Sequence, residues 1–297
     1  MTFNTETRMS EEVQRGAGQA DTTPTRVVTA DGIQFAYRAF GAPSLVPLVL
    51  CQRFRGTMDD WDPLFLDALA AKRSVIIFDN VGVGRSSGES PQSIAEMADH
   101  ASSFVDALKL GQIDLLGWSM GGAVAQALTL ARPSLVRRLI VAGSGPGGVP
   151  GNRPMPTLVI QTATKPVNED DDFLYLFFDG SDARREAGRQ YLSRLRRRVE
   201  PPSPPTRMET IRAMAVALGD WRSGKNAAFE RLPDLKQPTL VANGVHDIMV
   251  GAYDSYVMSQ HLPNAELVLY SDAGHGFLFQ HAERFAERVN RFLDSTR

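Results

Sequence analysis

Short, predominantly apolar runs recur along the chain at residues 46–51, 74–78, 113–118, 139–142, 239–242 and 267–270. Runs of this length, bounded by Gly, Pro and Asp, suit strands covered on both faces of a parallel sheet. Two further strands, 26–29 and 34–40, are predicted around the turn signal Asp31-Gly32. Between the runs the apolar spacing becomes helical at residues 61–71, 93–108, 120–131, 254–262 and 282–293. Strands alternating with helices predict an α/β fold, with a mostly parallel sheet of eight strands flanked by helices.

The alternation breaks between about residue 143 and residue 235. Proline clusters bound that stretch, Pro146 to Pro156 and Pro201-Pro202-Ser203-Pro204-Pro205. Between them a helical pattern over 183–199 places Ala183, Ala187, Tyr191, Leu192 and Leu195 on one face. Residues 147–231 are therefore predicted to form a helical cap inserted after the sixth core strand, with the core divided between 25–146 and 232–297. Residues 1–24 are polar and aperiodic, the pattern of a flexible tail.

Composition narrows the reading mainly by exclusion. A chain of 297 residues can bury a large core and carry an inserted subdomain. Its net charge of −2 gives no general attraction to nucleic acid or to an acidic membrane surface. The single cysteine, Cys51, lies in an apolar run and excludes a disulfide framework. No run has the length of a membrane span and no signal-peptide pattern opens the sequence, so a cytoplasmic protein without a membrane association is expected. Metal-binding spacings such as His-Glu-x-x-His or Cys-x-x-Cys do not occur, and no metal or cofactor is expected. Gly143-Ser144-Gly145-Pro146-Gly147-Gly148 matches a dinucleotide fingerprint in letters, but four prolines between 146 and 156 forbid the helix that fingerprint needs.

The chemistry concentrates at Gly117-Trp118-Ser119-Met120-Gly121, where an apolar strand meets a helical pattern. Glycine on both sides of the serine permits a turn too tight for larger side chains, and the serine oxygen is held out at the sheet's carboxyl edge. The Met120 N–H opens the helix, where no intrahelical acceptor exists, and can donate to an oxyanion. A serine nucleophile needs a base and an orienting acid. Of five histidines, His275 lies in the glycine-flanked loop Gly274-His275-Gly276 after the last strand; His100 and His261 fall in helical patterns, His281 in the last helix, and His246 beside the best acid. That acid is Asp247, at the carboxyl end of another strand. Asp272 reads as a turn former, and Asp79 opens a loop that looks structural.

In this order and spacing, the chain resembles the cap-bearing members of the α/β-hydrolase fold superfamily over roughly residues 25–294. The motifs that carry the resemblance are Gly-Trp-Ser-Met-Gly-Gly, the loop from Phe78 to Ser86, Asn243-Gly244-Val245-His246-Asp247 and Gly274-His275-Gly276. The resemblance implies an eight-stranded sheet with the cap inserted after strand six, and a Ser119–His275–Asp247 triad. By position it implies the Phe54 N–H as second oxyanion donor. It departs from the family where Gln52-Arg53 replaces the usual His-Gly, and at Val81, where many members carry arginine. Members include esterases, lactonases, carbon–carbon bond hydrolases, cofactor-free haloperoxidases and some hormone receptors. A small-molecule ester or lactone is the expected substrate, with carbon–carbon or peroxide chemistry and a non-catalytic receptor as rivals; the motifs name neither the substrate nor the oligomeric state.

Candidates for substrate contact are Arg53, Trp118, Tyr175, Phe177, Phe178 and Phe277. Arg53 reads as either an ion-paired loop anchor or a cation for anionic substrates. The aromatic run 173–178 reads equally as cap core and as pocket ceiling, with Met208, Met214 and Trp221 as further ceiling candidates. The arginines from Arg184 to Arg198 fit the wet face of an amphipathic helix.

Overall fold

The computed structural model describes residues 18–295. Eight strands form one sheet in the order β1-β2-β4-β3-β5-β6-β7-β8. They are β1 (Arg26–Ala30), β2 (Ile33–Gly41), β3 (Leu48–Cys51), β4 (Ser74–Phe78), β5 (Ile113–Trp118), β6 (Val136–Ala142), β7 (Thr239–Gly244) and β8 (Ala265–Tyr270). The pairs β1–β2 and β2–β4 are antiparallel, and every other pairing is parallel. The strands β3, β5 and β7 are buried at every position, which is why they read as mainly apolar runs; of the buried polar exceptions, Asp114 and Asn243 are partnered by Arg137 and the Val250 carbonyl. The edge strand β8 is only partly covered.

Helices connect the strands. α1 (Gln19–Thr22) precedes β1; α2 (Pro63–Ala70), α3 (Ile94–Ala107) and α4 (Met120–Ala131) follow β3, β4 and β5. Asp62 caps α2 by accepting the Leu64 N–H at 3.0 Å, with Pro63 at the first helical position, so this helix starts two residues later than its apolar spacing indicates. Four helices lie between β6 and β7: α5 (Thr157–Ala163), α6 (Asp170–Phe178), α7 (Asp182–Leu195) and α8 (Met208–Arg222). The helical pattern expected over 183–199 corresponds to α7. α8 carries its own signal, with Ile211, Met214, Ala217 and Trp221 buried at helical spacing after the second proline cluster. α9 (Ala252–His261), α10 (Phe277–Gln280) and α11 (Ala282–Asp294) complete the chain.

Residues 1–17 of the expected tail lie outside the described residues. The remainder departs from the expectation, because α1 is docked. The Ala20 N–H donates to Asp67 at 2.9 Å, and Arg197 pairs with the buried Asp21 at 2.9 Å. Arg198 donates to the carbonyls of Ala20, Asp21 and Thr23. The polar residues that look solvated in sequence thus meet Arg197 and Arg198 in the turn after α7. Part of that arginine run is therefore not a wet face.

Candidate active site

The turn between β5 and α4 is as tight as its glycines indicate. Ser119 sits at φ 57° and ψ −122°, a backbone region costly for any residue but glycine. Its N–H donates to the Ala142 carbonyl at 2.9 Å, and its carbonyl accepts from Gly122 at 2.9 Å. A Cβ on Gly117 would lie 2.1 Å from the Gly121 carbonyl oxygen, and one on Gly121 would lie 2.1 Å from that of Cys51. Neither position can hold a side chain while the turn keeps this shape.

The β7 and β8 ends supply two more groups. His275 Nδ1 lies 2.6 Å from Asp247 Oδ2, with both side chains fully buried. The second oxygen of Asp247 accepts the N–H groups of Met249 and Val250 at 2.7 and 2.8 Å. The carboxylate is therefore held on both sides. His275 Nε2 is buried and has no hydrogen-bond partner. The imidazole packs against Trp118, the neighbour of Ser119, with ring centroids 5.5 Å apart, and against Phe177 at 5.6 Å. Trp118 also donates its indole N–H to the His275 carbonyl at 3.3 Å.

The competing acids are occupied elsewhere. Asp272 is exposed and pairs with His281 at 3.0 Å. Asp79 is fully buried and ties two loops together by accepting the Met58 and Arg85 N–H groups at 2.7 and 2.9 Å. Desolvation raises its pKa to about 6 despite those two bonds.

Ser119, Met120 and Phe54 line one cavity of about 410 Å³. Its other walls are mostly apolar, from Met155, Ile160, Ala215, Leu218 and Trp221. The loop after β3 reaches this cavity by an internal device. Gln52 donates to the Thr57 carbonyl and accepts the Arg53 N–H, both at 2.8 Å. Arg53 closes the loop through Asp60 at 2.7 Å and the Phe54 carbonyl at 2.9 Å. Gln52 and Arg53, where the family has His-Gly, thus stitch the loop that presents Phe54.

None of the six expected contact residues lines that cavity. Arg53 is buried over the rings of Trp118, Phe173 and Phe177, with its guanidinium committed to the loop. Trp118 and Phe177 buttress His275. Phe178 packs on Tyr191, and Phe277 stacks between Tyr270 and Phe285. Tyr175 is half-buried against the same core. The aromatic run is drawn inward because α6 lies against α7 and the His275 loop, where Gly276 donates to the Phe177 carbonyl at 2.9 Å. Of the further ceiling candidates only Trp221 lines the cavity; Met214 is buried with its sulfur accepting the Arg55 N–H, and Met208 lies against the core. Sequence reasoning missed the polar residues Asn152, Arg222 and Asp254 in the cavity wall. Asp254 carried a signal, an acid in the first turn of a helix that follows the Asp247 loop.

Comparison with known proteins agrees with this architecture. Residues 46–282 match the family described as alpha/beta hydrolase fold. The chain is 30% identical over 235 residues to the 2-hydroxymuconate semialdehyde hydrolase of Pseudomonas sp. (strain CF600), covering 77% of this chain and 80% of that one. It is 28% identical over 272 residues to a poly(3-hydroxyalkanoate) depolymerase of Ectopseudomonas oleovorans, covering 86% and 87%. Among solved structures, an alpha/beta hydrolase fold protein from Chitinophaga pinensis superposes with a TM-score of 0.86 at 36% identity, covering 93% of this chain and 99% of that one. No helix among the described residues is long and apolar enough to cross a membrane.

Proposed function

The chain belongs to the alpha/beta hydrolase fold family, and from that premise we propose that it is a serine hydrolase cleaving a carboxylic ester or lactone through an acyl-enzyme. The observation that carries the reading is the buried Asp247–His275 bond of 2.6 Å, with the histidine's other nitrogen unpartnered beside the strained serine turn.

The chemistry follows from these groups. His275 Nε2 takes the proton of Ser119 as the serine oxygen attacks the carbonyl carbon. The developing oxyanion meets the N–H of Met120, at the positive end of α4, and that of Phe54. His275 then gives its proton to the leaving alkoxide, which departs as an alcohol or stays attached in a lactone. A water molecule, deprotonated by the same nitrogen, attacks the acyl-enzyme and releases the acid. Asp247 keeps the ring proton on Nδ1 and stabilises the imidazolium. The mostly apolar cavity of about 410 Å³ fits a medium-sized acyl or ring substrate better than acetate.

The test is labelling with an alkyl fluorophosphonate. One equivalent on Ser119, lost in Ser119→Ala together with about 10⁴-fold or more of ester turnover, is the expected result. Labelling that survives that substitution overturns the assignment. A second reading, carbon–carbon bond hydrolysis with the same groups, is favoured by the kinship with the 2-hydroxymuconate semialdehyde hydrolase. Turnover of that semialdehyde in preference to every ester and lactone of a panel would establish it instead.

A further inference from the structure

One wall of the cavity is polar and takes no part in the hydrolytic steps. Asp254, in the first turn of α9, lines it together with Asn152 and Arg222. Asp254 is only 4% exposed. Asn152 donates to its Oδ2 at 3.0 Å, while its Oδ1 is buried and has no hydrogen-bond partner. Arg222 donates to the Met249 carbonyl at 3.3 Å and acts on the carboxyl as a nearby positive charge. Burial is the main influence and raises the pKa of Asp254, against the pull of Arg222 and Asn152.

The loop after β6 is shaped around this carboxyl. A Cβ on Gly145 would come within 2.8 Å of Asp254 Oδ2, so a larger residue there would displace the carboxyl. The Gly145 carbonyl is pinned from behind by Gln126 at 3.2 Å and by the Trp221 indole N–H at 3.1 Å. Tying Asn152 to α9 occupies only one of the two oxygens of Asp254 and leaves the acceptor capacity of the other unused. Buried polar atoms nearly always find partners, and Asp254 is a residue of the cavity wall with acceptor capacity to spare. His275 Nε2 is in the same condition, and there the missing partner belongs to the reaction.

We propose that Asp254 is a specificity-determining residue whose carboxyl accepts a hydrogen bond from a hydroxyl on the substrate arm that fills the cavity. Hydroxyl-bearing esters are then preferred over alkyl esters of the same size, because the analogue without the hydroxyl leaves the buried carboxyl unmatched. The proposal deepens the reading of this site as that of a serine ester hydrolase and rests on it.

The experiment is a panel of matched ester pairs, with and without one hydroxyl, the hydroxyl being moved along the acyl and then the alcohol arm. For at least one position the wild type is expected to favour the hydroxy ester by about 10- to 100-fold in kcat/KM, chiefly through KM. Asp254→Ala should bring that ratio to within about twofold of unity. Asp254→Asn, isosteric and neutral, should reduce it while preserving the packing against Gly145. A flat wild-type profile overturns the proposal, as does a preference that survives in Asp254→Ala or is undiminished in Asp254→Asn. Fluorophosphonate labelling of wild-type Ser119 separates the two levels: with labelling intact, a flat profile sinks only the role of Asp254, whereas absent labelling sinks the hydrolase reading and this proposal with it.

Discussion

Replacing Asp247 by asparagine tests the site most sharply, because the surrounding hydrogen bonds dictate how the new amide must sit. Oδ1 of Asp247 accepts two backbone N–H groups, from Met249 and Val250, at 2.7 and 2.8 Å. An amide NH₂ turned toward those donors would leave both unmatched and buried, at about 1–3 kcal/mol each. The asparagine carbonyl therefore stays on the two N–H groups, and the NH₂ faces His275 Nδ1. That contact requires Nδ1 to accept, so the ring proton moves to Nε2, the nitrogen that must take the proton of Ser119. The wrong tautomer is expected to cost about 10⁴-fold in kcat, or about 5 kcal/mol of transition-state stabilisation. KM should change little, because Asp247 has no place in the cavity wall. The assay is steady-state hydrolysis of a p-nitrophenyl ester alongside thermal unfolding, with Asp272→Asn as comparator. The Asp272 carboxyl is exposed and pairs with His281 at the surface, so its variant should stay within about twofold of the wild type. Activity of Asp247→Asn within tenfold of the wild type, with Tm unchanged, would refute the argument.

Other expectations follow from the same geometry. Gly121→Ala forces a Cβ to 2.1 Å from the Cys51 carbonyl oxygen; loss of fluorophosphonate labelling with secondary structure retained by circular dichroism is the expected result, and normal labelling would contradict it. Arg53→Ala removes one partner of a largely buried ion pair together with its aromatic packing, costing about 3–5 kcal/mol in denaturant unfolding; its kcat/KM should fall equally on neutral and anionic esters, and a selective loss on the anionic ester would restore Arg53 as a substrate contact. Phe177→Ala should destabilise by about 3–5 kcal/mol without changing chain-length selectivity, whereas Leu218→Ala in the cavity wall should change selectivity, both read from a series of acyl esters. Burial works to raise the pKa of Glu200, but the bonds from Thr25 and the Arg198 guanidinium outweigh it and hold the carboxyl at about 2. A pKa depressed in the folded state means that this stabilisation is complete above about pH 4.5, the unfolded value, and is lost as pH falls toward about 2. Glu200→Gln should flatten Tm against pH in that window, and an unchanged acid limb would contradict the assignment.

Much of this protein follows from local rules that a sequence displays. Mainly apolar runs mark the buried strands, since a strand covered on both faces admits a polar side chain only with a partner, as Asp114 has in Arg137. Gly117 and Gly121 around Ser119 mark the tight turn, because backbone at about 2 Å from a Cβ excludes every other residue. His275 and Asp247 could be singled out because each occupies a turn at a strand's carboxyl end, and parallel strands bring those ends to one edge. The cavity walls obeyed no such rule. An aromatic run such as 173–178 has the same composition whether it faces a ligand or a core, and only the docking of α6 against α7 and the His275 loop turned it inward. Arg53 likewise offers one charge to either fate, and the position of Asp60 across the loop decided it. The polar wall of Asn152, Arg222 and Asp254 joins residues up to 102 positions apart. Contacts across that separation leave no periodicity in the chain, so only the tertiary structure could assemble them.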